Sequence, residues 1–503
     1  MSFFAPLFSL IKRAGERTDK TALLLCFCAG LFYGACVVYK YYHLWYYDWD
    51  LAFFSQACWN LLHGSAYSSL TGINFFGDHS YYIIILLLPF FWLFTHPLTL
   101  VFFCIAAHLA AGYLLYRLAD KDLGGKIALV LTAGYFLIPA NIFSVIYEFN
   151  TEGLSPVFLV LTYIFFQKDE LKKFWIAVFF LLLIKENMAL VVVFYGLYGL
   201  AVKKGKRVQW GIIPLFAGLF IFLVFVKGMI PFALGGEAHA FVKRYAHMGS
   251  SLKEILLFLV LHPGAVLKII FHEHNLNYIW NLGGPWVWPA LFSPQILFLM
   301  LPLLLQHLLS NSFMERTIFY HYGSSLLPFV FLAVIKTFKV LQEKTSRRLV
   351  QFVIAVFLLA ALAHLYNFQA DIEKRLIPPF VHSISSKWAM IEEIPREAGV
   401  IATFSFLAPL SLRKHLYSLH VLYDRSFYDP EKRQRNTLYR EKFIRWPTEA
   451  NYVLIDFDEE WLKKRMKQDP SGVSRRLQNL FNVENWLIKK RAGSVILFER
   501  KLQ

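Results

Sequence analysis

Charge is scarce in this sequence, and acidic charge is the scarcer kind. Only 17% of the 503 residues are charged, 51 of them Lys or Arg against 34 Asp or Glu. Soluble globular chains carry about a quarter. With 57% hydrophobic and 18% aromatic residues and a mean hydropathy of +0.47, a soluble domain is excluded and the chain reads as a polytopic membrane protein. Cysteine is also sparse. The five cysteines all lie at or before Cys104, which excludes a disulfide framework, and Cys26-Phe27-Cys28 has neither the spacing nor the histidine partners of a zinc site. Internal repeats and low-complexity linkers are missing too. The formal net charge of +17 does not point to nucleic acid, because many of the basic residues fall in short turns between apolar runs, where they set topology.

Those turns give an orientation. Lys12, Arg13, Arg17 and Lys20 precede the apolar run 21–42, so residues 1–20 are expected in the cytoplasm. The run is long enough to span and is followed by no small-residue cleavage site, which predicts a retained anchor. Residues 43–97 then form a first external loop. Its apolar piece 81–95, ended by Thr95-His96-Pro97, is too short for a full crossing and suits a half-inserted helix. The runs 98–117, 127–145 and 153–167 alternate between basic turns and the acidic turn Tyr147-Glu148-Phe149-Asn150-Thr151-Glu152.

Within 174–201, Lys185-Glu186-Asn187 would put charge in mid-membrane if the run were one helix, so two crossings hinged there are expected. The runs 208–230, 275–292, 295–310, 317–335 and 349–366 complete about eleven crossings, with every basic short turn inside. Residues 251–273 read as amphipathic surface helices broken at Pro263. Beyond residue 367 the composition shifts to amphipathic helices alternating with β-like runs at 399–404 and 452–457, which predicts an extracytoplasmic α/β domain over 368–503.

The ionisable residues are placed unevenly. Asp48, Asp50, Asp78, His79, Glu148, Glu152, Lys185, Glu186, Lys243, Arg244, Arg316 and His321 come from separate segments, yet this topology puts them all at the outer face. Charge at a membrane boundary is costly unless paired or solvated, so such a cluster is a candidate site. A transporter would instead gather its polar residues at mid-membrane between repeats, and a non-catalytic lipid-binding protein would need no carboxylate cluster.

The pattern from Asp50 through Gln56 and Trp59-Asn60, then Gly64, Gly77-Asp78-His79, Leu183-Ile184-Lys185-Glu186, Arg244-Tyr245 with Gly249, and Ser310 leading to His321-Tyr322 resembles the DUF2079 family of prokaryotic multi-pass membrane proteins. Leu410-Ser411-Leu412-Arg413 and Tyr452-Val453-Leu454-Ile455-Asp456 extend the resemblance into the tail. That family in turn resembles GT-C glycosyltransferases, such as protein O-mannosyltransferases and aminoarabinose transferases, which carry an acidic residue just after the first transmembrane helix. Those enzymes usually show an Asp-Glu pair there, where this chain has Asp48-Trp49-Asp50.

The resemblance implies a GT-C-like enzyme of the inner membrane that takes sugar from a polyprenyl-phosphate donor and passes it to an extracytoplasmic glycan, lipid or protein. Asp50, with Asp48, would act on the acceptor hydroxyl. Arg244 and Lys185 would neutralise the lipid phosphate. A divalent cation, Mg or Mn, held by Asp78 and His79 would do the same work. Glu148, Glu152, Glu186, Tyr245 and His321 would complete the substrate site, with Trp59 available to stack on a sugar face.

Overall fold

The computed structural model describes residues 17–236, 240–377, 384–423, 447–468, 470–471, 477 and 485–501. Lys12 and Arg13 of the expected cytoplasmic segment, and Glu237 in the turn Gly235-Gly236-Glu237 expected after the run 208–230, lie outside the described residues.

The molecule is mostly helical. Five helices are long and apolar enough to cross a membrane: Thr18–Tyr42, Leu98–Leu123, Val208–Ala233, His321–Lys344 and Arg347–Asn367. A sixth results if the pair Gly125–Leu137 and Pro139–Ile146, bent by 54°, counts as one span. Pro139 explains the bend, because the residue before a proline is pushed out of the helical region and Ile138 is extended (ψ 131°).

Elsewhere the expected runs hold shorter helices. Ser155–Gln167 has 13 residues and Leu171–Ile184 has 14. At 1.5 Å per residue these reach only about 20 Å, short of the roughly 30 Å hydrocarbon core. The chain does break at the predicted hinge: one helix ends at Ile184, Lys185 is extended, and the next starts at Met188. Residues 252–270 likewise form two helices meeting at Pro263.

The turn that delivers Asp48 and Asp50 is tightly built. After the first helix, Leu44 takes a left-handed conformation (φ 55°) and the Trp45 amide reaches back to the Lys40 carbonyl at 2.8 Å. This is the geometry of a Schellman stop, with a leucine where glycine is usual. The Leu44 side chain is buried, and its packing offsets the roughly 1–2 kcal/mol that a non-glycine residue pays there. The helix Asp50–Leu62 follows at once.

Past residue 384 the chain forms a five-stranded mixed sheet. The strand order is Leu416–Ser418, Gly399–Ala402, Ala450–Asp456, Val495–Arg500, Trp486–Ala492; the first three are parallel and the last two join antiparallel. The two strands foreseen at 399 and 452 are its centre, both buried. Lys387 and Asp456 form a buried ion pair of 2.5 Å beside the central strand. The sheet is tied to the segment 43–97: Gln56 donates to the carbonyls of Arg413 and Lys414, and Ser69 bonds both the amide and the carbonyl of Leu416.

Candidate active site

Three carboxylates meet where the first helix hands over to Asp50–Leu62. Glu148 accepts from the backbone amides of Asp48 (3.0 Å), just before the helix, and Leu51 (2.7 Å), an orphan donor in its first turn. It caps from outside the helix, a task usually left to a local Ser, Thr or Asp. Asp48 accepts from the Tyr147 hydroxyl at 2.7 Å. Asp50 has looser company: Asn150 Nδ2 at 3.3 Å, the Tyr147 hydroxyl at 3.5 Å and His321 Nδ1 at 3.7 Å. Of the three it is the one with the most room to accept a further donor, and 20% of its side chain is exposed.

Lys40, buried, donates to the carbonyls of Ile146 (2.6 Å) and Tyr147 (3.2 Å) and so closes the end of the helix that presents Tyr147 and Glu148. Asn150 caps the next turn by accepting from the Glu152 amide.

Electrostatics follow from this crowding. Burial, then the neighbouring charges of Asp48 and Glu148, push Asp50 well above the usual carboxylate range, against the Asn150 hydrogen bond that lowers it; Asp78 adds to the rise and so lies within electrostatic reach. Burial and then Asp48 push Glu148 up to about 8. Asp48 is raised by burial, with Tyr147 and the Trp49 amide opposing. Such a group shares its protons, so its titration belongs to the cluster and not to one residue.

Behind Asp50 lies a second tier. His321 bridges, with Nδ1 3.7 Å from Asp50 and Nε2 3.7 Å from Glu152. Both gaps exceed a hydrogen bond, and His321 Nδ1 and Glu152 Oε2 are buried without a hydrogen-bond partner among the described residues. Glu152 is paired on its other oxygen with Lys185 at 2.7 Å. The next residue, Glu186, turns the other way and takes His79 Nδ1 at 2.6 Å, together with the amide (3.1 Å) and hydroxyl (3.3 Å) of Ser80. Arg244 pairs with the buried Glu315, while 34% of the arginine side chain stays exposed. Tyr245 donates to the Gln306 carbonyl at 3.0 Å.

The structure thus joins Asp48, Asp50, Glu148, Glu152, Lys185 and His321 in one connected group, with His79–Glu186 and Arg244–Glu315 beside it. Trp59 is apart. Nine residues beyond Asp50, it stacks on His63 with ring centroids 3.9 Å apart, which occupies one of the faces a sugar would use. Asp78 and His79 are the pair expected to hold a divalent cation. His79 gives one ring nitrogen to Glu186, and among the described residues no three of His, Cys, Asp and Glu stand where they could hold a metal ion.

Sequence reasoning missed Glu315 and Lys40 as site residues. Glu315 sits beside Arg316, which the sequence placed in the outer-face cluster, and only the fold shows the glutamate buried against Arg244. Lys40 looks like the basic end of an anchor. Tyr147 and Asn150 were visible within the acidic turn, but without a signal that they face Asp50.

A mostly helical membrane chain with a loop carboxylate cluster and a small mixed sheet defines a class, and the comparisons agree with it. Residues 40–497 match the model of the predicted membrane protein family DUF2079, and the chain belongs to that family. No curated protein matches. Among solved structures, the chain is similar to ArnT from Cupriavidus metallidurans bound to undecaprenyl phosphate, with a TM-score of 0.52 and 10% identity over 95% of this chain and 97% of that one. It is also similar to the apo oligosaccharyltransferase of Archaeoglobus fulgidus, with a TM-score of 0.49 and 13% identity over 89% and 70%. These neighbours are GT-C glycosyltransferases, and the ArnT match shows that the fold is of their kind.

Proposed function

We propose that this chain is a membrane glycosyltransferase that moves a sugar from a polyprenyl-phosphate donor to an extracytoplasmic acceptor. The observation that carries the reading is Asp50: a carboxylate with room for one more partner, on a GT-C fold, backed by the unpartnered polar atoms of His321 and Glu152. A lipid-linked donor is further supported by the undecaprenyl phosphate held by the structurally similar ArnT.

Asp50 takes the proton of the acceptor hydroxyl, whose oxygen attacks the anomeric carbon. The bond from that carbon to the phosphate oxygen breaks, and the electron pair leaves with the polyprenyl phosphate. Arg244, anchored by Glu315 on one side and exposed on the other, faces that developing charge with its planar fork of donors. His321, 3.7 Å from Asp50 and from Glu152, backs that carboxylate. Every step here is carried by this chain's own residues; a divalent cation, Mg or Mn, would be held by Asp78 and His79 and would help neutralise the departing phosphate. The chain crosses the inner membrane about eleven times, each short apolar run counting as one crossing, and the site and the C-terminal sheet lie on the extracytoplasmic side. The acceptor there is a glycan, lipid or protein.

The test is transfer of labelled sugar from a polyprenyl-linked donor in membranes that hold the full-length protein. Arg244→Ala is expected to weaken donor binding more than turnover, since it removes the phosphate's charge partner. Transfer independent of any lipid-linked sugar, or donor affinity untouched by Arg244→Ala, contradicts the assignment.

A further inference from the structure

Away from the carboxylate cluster lies a cleft of about 1040 Å³. Its walls are the helices Leu98–Leu123, Ser155–Gln167 and Leu327–Lys344, with Ile83–Leu93 and Leu171–Ile184 at the edges. Three alanines on the first of these, Ala106, Ala107 and Ala110, make the room. Leu86, Phe90 and Ala106 line it and are exposed, so the cleft opens sideways onto the face that a bilayer covers. From Phe103 to Lys121 it follows one helix for eighteen residues, about 27 Å at 1.5 Å per residue, close to the roughly 30 Å hydrocarbon thickness.

One end is apolar and the other is cationic. Six Lys and Arg against three Asp and Glu line the cleft, all at the end with the 117–126 turn. Lys339 is paired with Asp122 and Lys173 with Glu170, each at 2.9 Å. Lys121, Lys168 and the half-buried Lys336 make no ion pair among the described residues. The positive-inside bias accounts for lysines at helix ends, but it does not require three helices to aim them at the mouth of one apolar cleft. Basic pockets between membrane helices on the cytoplasmic side suit anionic lipid headgroups.

We propose that this cleft binds an anionic glycerophospholipid, its phosphate among Lys121, Lys168 and Lys336 and its acyl chains along the alanine wall. The donor's tail is the weaker fit. Leu154, two residues from Glu152, marks the apolar end, and the lysines lie beyond the far end of the 13-residue helix that follows, about 20 Å away. A phosphate held there is out of reach of Asp50. The inference therefore stands or falls separately from the transferase reading.

Native mass spectrometry of the full-length protein in mild detergent, with phosphatidylglycerol, phosphatidylcholine or undecaprenyl phosphate added singly and in competition, tests this. One phosphatidylglycerol is expected to be retained in preference to phosphatidylcholine. At about 1 kcal/mol per lysine, the triple variant Lys121→Gln/Lys168→Gln/Lys336→Gln should lose that preference on the order of a hundredfold. The three lysines lie at the surface or half-buried, so this variant should keep the helical circular dichroism of the parent. Ala106→Phe, which fills the cleft without touching charge, should remove retention while leaving the lysines in place. Equal retention of phosphatidylcholine, or a triple variant that binds like the parent, overturns the proposal. So does displacement of phosphatidylglycerol by undecaprenyl phosphate in a manner sensitive to Ala106→Phe, because the cleft would then hold the donor's tail.

Discussion

Removing Lys185 while keeping Glu152 probes how the second tier is held. The pair is separated by 2.7 Å with side chains only 3% and 1% exposed, and the other charge partner of Glu152 is His321 at 3.7 Å. Lys185→Met keeps most of the volume but leaves a buried carboxylate with no close cation. Breaking a buried pair from one side costs about 3–5 kcal/mol, whereas replacing both partners is often close to neutral. Lys185→Met/Glu152→Gln should therefore be more stable than Lys185→Met alone, with a coupling on the order of 2 kcal/mol. Unfolding of the purified protein in mixed micelles of rising SDS content, followed by tryptophan fluorescence, gives the three values. A single-variant loss below about 1 kcal/mol, the size of an exposed pair, or losses that simply add, refutes the buried-pair argument.

The pH dependence has a definite sign. Asp50 is raised well above the usual carboxylate range and Glu148 to about 8, so the rate should climb with pH over the range in which these carboxyls lose their protons. Glu148→Gln removes one of the charges that raise Asp50, so its rising limb should move to lower pH in a pH series of the transfer assay; an unmoved limb contradicts the coupling. For stability the sign is opposite. A carboxyl raised on folding contributes below its unfolded value near 4.5 and loses that contribution as pH passes about 8, so the unfolding midpoint should fall over that window in the parent and less in Glu148→Gln. For topology, a phosphatase fused after Gln503 should be active in a bacterial host and one fused in the 117–126 turn inactive; the reverse pattern overturns the count of crossings.

Much of the architecture was legible because hydrocarbon imposes strict rules. A charged pair inside an apolar run demanded a break, and the break stands at Lys185. Proline marked the joint at residue 263. The β-like runs at 399 and 452 became the sheet centre because short continuous apolar runs suit strands buried on both faces. Helix length was less legible. Apolar runs such as 153–167 do not reveal whether a short helix crosses alone or leans on a neighbour, since packing decides it.

The site divided in the same way. That acidic residues from distant segments could line one cavity was expected from parity, but their partners were not. Glu148 looks like a substrate ligand in sequence and acts as a helix cap in space. Glu186 points to His79 and away from Lys185, its neighbour in the chain, because the backbone is extended there and successive side chains point to opposite sides. Trp59 sits on the same helix as Asp50, yet nine residues carry it about 13 Å along the axis.

The central claim is that Asp50 accepts the acceptor's proton, and the most direct measurement compares Asp50→Asn with Asp48→Asn at equal abundance in membranes supplied with labelled polyprenyl-linked sugar. The amide keeps the shape of the carboxylate but cannot take the proton. Asp50→Asn should retain donor binding and lose about 10²–10⁴ in rate. Asp48→Asn should be milder, because Asp48 spends its oxygens on Tyr147 and the Trp49 amide. Full activity in Asp50→Asn with loss confined to Asp48→Asn would move the base two residues upstream, and full activity in both would contradict the transferase mechanism itself.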